Sequence, residues 1–230
     1  MAFFAVAGAS VYPLRTDLLL PFWRVRIPMS IVTAGSINVF FEEAVRAAMK
    51  TQRIEATDAT TSYLVALLAD FAKPNHGQEQ LDRPLTFLLD EALHTSEVGE
   101  RFEKLRTLGD GVLYTSGFFG DHFEARGVDT RYIIGIGQTA YGSASNLLRP
   151  STRDLEASAA HDIFGELASR FAAFVAVINE VANASIAAAA ESSRGVVRLY
   201  ERWMKTKSDT LAEALANHGF IPPRGGMVPS

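Results

Sequence analysis

The chain has 230 residues, 22 Lys and Arg against 26 Asp and Glu for a formal charge of −4, 48% apolar residues and no cysteine. So much apolar content with so little net charge excludes a disordered chain. The missing thiols exclude a disulfide scaffold, cysteine-ligated zinc, iron–sulfur clusters and a cysteine nucleophile. Mild acidity gives no general attraction to nucleic acid or anionic lipid, and the length fits one domain.

Residues 1–28 differ from the rest of the chain. Pro13, Pro21 and Pro28 interrupt them, their charges are scattered, and neither a helical nor a strand period persists. Residues 2–9 are apolar, but no Lys or Arg precedes them, and they fall well short of the roughly 20 residues that span a bilayer. The expectation is an irregular arm or upstream extension over 1–29, ahead of a start at Met29, on a cytoplasmic protein. Phe22-Trp23 beside Arg24 and Arg26 is where that arm has membrane-contacting character.

From residue 30 the punctuation is that of a helical domain. Ser36, with Val39, Phe40, Ala44, Val45 and Ala48 after it at three- and four-residue spacing, predicts a capped amphipathic helix with Glu42 and Glu43 in its early turns. Thr57 or Asp58 opens a second, with the stripe Tyr63, Leu64, Leu67, Leu68 and Phe71, stopped at Pro74. Asp82 and Pro84 open a third through Leu85, Leu88, Leu89, Ala92 and Leu93. Ser96-Glu97 caps a fourth, carrying Val98, Phe102, Leu105 and Leu108. It then meets Gly109, Gly111, Gly117 and Gly120, each costing up to about 1 kcal/mol, so it either runs to Phe118 or breaks near Gly109. Asp129 caps a fifth, with Tyr132, Ile133, Ile136, Ala140 and Tyr141, ending before Pro150. Residues 160–191 read as one long helix, apolar on nearly every face and therefore central. Gly195 divides it from a helix with Val196, Leu199, Tyr200 and Trp203, and Ser208 caps the last, closed by Gly219. No stretch alternates like a strand. The prediction is an all-α, single-domain bundle of seven to eight helices over 30–221, with a flexible tail over 222–230.

Chemistry-bearing patterns are incomplete. Gly135-Ile136-Gly137 with Ala140 after it is a fragment of a dinucleotide loop, without the strand and βαβ unit that loop needs. No Gly-x-Ser-x-Gly elbow and no phosphate-binding Gly-Lys-Ser or Gly-Lys-Thr occurs. Glu91-x-x-His94 has the spacing of a ferritin-like di-iron ligand pair, but His76, His122, His161 and His218 lack a Glu three residues earlier. Asp90, Glu91, His94 and Glu97 are therefore expected to form a solvated helix face. Arg194, Arg198 and Arg202 recur every four residues as a basic stripe on a solvated face. No catalytic residue, metal site, cofactor or nucleic-acid partner is assigned.

The most unusual stretch is 108–142, with eight glycines among Tyr114, Phe118, Phe119, Phe123, Tyr132 and Tyr141. Glycine in a helix needs a compensating reason: close helix approach, with Gly135 and Gly142 on one face, or backbone drawn near a ligand or partner. The functional expectation is a regulatory or interaction protein, self-associating and binding a protein partner through this segment. Its candidate contact residues are Tyr114, Phe118, Phe119, Asp121, His122, Glu124, Tyr132 and Tyr141. The alternative is a ligand carrier or enzyme with a pocket between the 97–123 and 129–148 helices, where Asp121, His122 and Glu124 supply polar contacts.

Overall fold

The computed structural model describes residues 34–73, 83–125, 127–148 and 162–220. The expected arm at 1–29 and tail at 222–230 lie outside these residues, as do Asp82, His76 and His161. Among the described residues there are nine helices and no strand, so the chain is all-α: α1 (Ala34–Gln52), α2 (Asp58–Phe71), α3 (Leu85–His94), α4 (Val98–Ala125), α5 (Thr130–Leu148), α6 (Ile163–Ser169), α7 (Phe171–Ala188), α8 (Ser193–Thr206) and α9 (Asp209–Asn217).

Local capping explains several starts. Thr57 accepts from the Thr60 amide at 3.2 Å to open α2. Asp129 accepts from the Arg131 amide at 2.9 Å ahead of α5, and those bonds with the Arg131 side chain hold its carboxyl below the usual range. The first helix begins at Ala34, two residues ahead of Ser36. Pro84 occupies the N-cap of α3.

The fourth helix does not break at Gly109. It runs to Ala125, with one non-helical residue, Phe119 (φ −125°, ψ 20°). Asn179 of α7 donates to the Gly117 carbonyl oxygen at 3.1 Å just before that point. A side chain inserted into the backbone ladder is a recognised cause of a kink.

The long helix expected over 160–191 is two helices. Arg170 leaves helical geometry (φ −119°, ψ 23°) between α6 and α7. No proline or glycine stands there; tertiary bonds make the break. Glu166 accepts from the Thr57 hydroxyl at 2.8 Å, and Arg170 donates to the Glu55 carbonyl oxygen, so both are tied to the α1–α2 connection. The next division falls at 189–192, before Gly195, where Ser192 caps α8 by accepting from the Gly195 amide at 3.1 Å.

The centre is α7, which touches α1, α4, α5, α6, α8 and α9. Phe171, Phe174, Val177, Ile178 and Val181 are fully buried along it. Large side chains of this kind stabilise by roughly 1.5–3 kcal/mol each when removed from water. By length and composition α7 is also apolar enough to cross a membrane, yet it carries buried Glu180 and Asn183. Those two polar residues face the C-terminal helices. Thr210 and Ser208 donate to Glu180, and Arg202 donates to Asn183 at 3.0 Å. The C-terminal helices have an apolar cluster of their own: Ala190, Leu199, Trp203, Leu211 and Leu215.

Candidate functional site

The 108–142 segment forms the antiparallel pair α4–α5, the most extensive helix contact of the fold. Three of its glycines are seats for large side chains. A Cβ at Gly109 would lie 2.5 Å from the Tyr141 ring, at Gly117 2.4 Å from Ile178, and at Gly137 2.2 Å from Phe171. These are close approaches that only a missing side chain permits. The pair expected on one packed face behaves differently. Gly135 has nothing within 4 Å of its Cβ position, and Gly142 only Ala168 at 3.8 Å.

Beside Gly109, Asp110 ties three helices together. Its Oδ1 accepts from the Tyr63 hydroxyl of α2 and the Tyr141 hydroxyl of α5, each at 2.7 Å. The Arg106 guanidinium stands 3.9 Å from Oδ2. Burial raises the Asp110 carboxyl above its ordinary value, against the opposing pull of both phenols and Arg106. Burial, and then the facing carboxylate, push the Tyr63 and Tyr141 phenols up as well. Such a node can hold a proton or an ionised acid inside the protein. Tyr141 is 0% exposed, with ring centroids of Phe164 and Phe171 5.8 Å away, so it is a core residue. At this level the space between α4 and α5 is filled by its ring.

The other aromatic residues of the segment form a second feature. Phe71 at the end of α2 stacks on Tyr114 of α4 (centroids 4.3 Å, interplanar 12°). Tyr114 meets Phe118 at 4.8 Å and Phe119 at 6.0 Å. All four rings are only half-buried. Burial still pushes the Tyr114 phenol up to about 12. Tyr132 is 50% exposed at the start of α5. Since Gly109 faces Tyr141 across an antiparallel pair, Tyr132 stands level with Phe118.

Of the remaining candidates, the structure describes the side chains of only some. Asp121, His122 and Glu124 lie in the last turn and a half of α4, and their side chains fall outside the described residues. Asp129 and Arg131 form an exposed pair at the start of α5, unlike the partly buried Asp110. Glu91 accepts from Arg83 and Lys104, and His94 pairs with Asp90 at 3.2 Å. Those acids, His94 and Glu97 are all exposed. Among the described residues no three His, Asp or Glu side chains gather as a metal site would require. The basic stripe is a correction. Arg194 and Arg198 are exposed, but Arg202 is only 9% exposed, because eight residues rotate a helix about 80° past two full turns.

Neither Tyr63 as the partner of Asp110 nor Phe71 as the first ring of the aromatic series was visible as a site residue in sequence. Both read as members of an ordinary apolar stripe. Their one signal is an aromatic at each of those positions of α2. The chain matches no family model, no curated protein and no solved structure. Function therefore has to be read from these side chains.

Proposed function

We propose that the protein is a cytoplasmic interaction protein that binds a protein partner, and self-associates, through the aromatic series Phe71–Tyr114–Phe118–Phe119 and exposed Tyr132 at the start of α5. The observation that supports this reading is four rings linked through Tyr114, from the end of α2 and the second half of α4, none fully covered. Contiguous, partly exposed aromatic surface on a protein marks an interaction site more often than scattered apolar residues do, and aromatics dominate binding energetics. The polar interior of the same segment is spent on fold: Asp110 is satisfied by two tyrosines, and the packed glycines receive Tyr141, Ile178 and Phe171.

The test is the double variant Phe118→Ala/Phe119→Ala in the full chain, compared with wild type by sedimentation and by in-cell crosslinking with mass spectrometry. Loss of self-association and of crosslinks with helical content retained on circular dichroism is expected. Proportional loss of helicity and association would make the two rings core residues and remove the reading. Excess mass on the natively purified protein, with no crosslinks in either form, would favour a ligand carrier instead.

A further inference from the structure

The C-terminal end of α1 and the break between α6 and α7 enclose an open depression of about 400 Å³, lined by Met49, Lys50, Arg53, Ile54, Glu55 and Arg170. None of these residues belongs to the aromatic series. Three cations against one acid line it, Arg170 coming from a distant part of the chain to join Lys50 and Arg53. Arg170 is placed at the break by its bonds to the Glu55 carbonyl oxygen and to Glu166 at 3.2 Å, both through Nη1. The rest of its guanidinium edge is not used by those bonds. Lys50 and Arg53 have no ion pair and no side-chain hydrogen bond among the described residues.

The backbone at Arg53 adds an independent observation. Its φ is +53°, the left-handed region that closes helices and favours glycine. The one other non-glycine residue with positive φ among the described residues is Lys207, also at a helix end. Lys207 lays its ammonium 4.4 Å over the Trp203 ring, so the fold uses that side chain. Arg53 occupies the same disfavoured conformation, yet its guanidinium bonds to none of the described residues. Cations at a helix C-terminus also offset the macrodipole, but lysine and arginine inside the last turn do that without positive φ.

We infer that this depression binds a small phosphate monoester, its phosphate held by Lys50, Arg53 and the unused edge of Arg170, its apolar part resting on Met49 and Ile54. Lys50 and Arg53 against Glu55 leave a net positive seat for a phosphate whose charge lies near −2 at neutral pH, and a guanidinium presents paired donors to its oxygens.

Calorimetric titration of the full chain at fixed ionic strength tests this, with inorganic phosphate and phenyl phosphate as probes and sodium chloride as control. Saturable binding is expected, tighter for phenyl phosphate than for inorganic phosphate and absent with chloride. Arg53→Gly should weaken both at least about tenfold, as loss of a charged hydrogen bond does. Because glycine suits that φ, the variant should melt no lower than wild type, which separates lost binding from lost fold. Lys50→Gln should weaken binding in the same direction. The inference is overturned if no saturable binding occurs, if chloride reproduces the signal, or if Arg53→Gly binds like wild type. A phosphoserine peptide binding more tightly than phenyl phosphate would overturn its small-molecule part.

Discussion

Asp110 accepts two phenolic hydrogen bonds on one oxygen, with a guanidinium near the other, in a site where its side chain is 15% exposed. Burial outweighs these partners, so its folded pKa lies above the ordinary 3.8. An acid raised in this way holds its proton more tightly when folded. Its contribution to stability is full below the unfolded value and is lost as pH rises through the folded one. Asp110→Asn keeps an acceptor for Tyr63 and Tyr141 and abolishes the ionisation. Urea unfolding from about pH 4 to pH 7 should show the wild-type advantage over Asp110→Asn shrinking with rising pH and then levelling. A difference independent of pH would mean that Asp110 titrates normally. Asp110→Ala is a harsher change, since each stranded phenol costs about 1–3 kcal/mol. In sequence this aspartate is one of several acids and bases in a glycine-rich stretch. Its partners lie 47 and 31 residues away, and no local pattern connects them.

On the scale of helices, glycine separates into two kinds. Intrinsic propensity alone favours alanine over glycine by about 1 kcal/mol at any helix-interior position. Gly135 is in open space, so Gly135→Ala should stabilise by about 0.5–1 kcal/mol. Gly137 holds the Phe171 ring, so Gly137→Ala should destabilise by about 1–3 kcal/mol through overpacking. Thermal and chemical unfolding of the two variants decide this; equal signs would show that the α5–α7 approach is loose. The close approaches at Gly109, Gly117 and Gly137 explain why α4 and α5 survive their glycines. Helix existence followed from apolar spacing and from Thr57 and Asp129 as caps. The break at Arg170 did not, because it answers to Glu55 and Thr57, over a hundred residues earlier.

For the whole molecule, two apolar clusters imply two levels of stability. The larger joins α1 to α7, while the smaller gathers Ala190, Leu199, Trp203, Leu211 and Leu215. A small cluster held to α7 by Glu180 and Asn183 should open before the main core does. In a Trp23→Phe background, Trp203 is the sole tryptophan, and its emission should shift at lower denaturant than helical circular dichroism is lost. Glu180→Ala removes the acceptor for Ser208 and Thr210 and should lower the Trp203 midpoint while leaving the main transition nearly in place. Coincident transitions in both proteins would mean one cooperative unit.

Periodicity and punctuation alone were sufficient for the all-α class, the places of most helices, the central apolar character of the stretch within 160–191 and the solvated character of the Glu91–His94 face. These depend on interactions within a few residues, which a chain carries wherever it folds. Where α6 parts from α7, which glycines receive a ring, that Tyr141 is core while Tyr132 is not, and that Lys50, Arg53 and Arg170 share one depression were settled by packing. Each joins residues distant in sequence, and their meeting depends on how helices cross and which side chains fill the space between them.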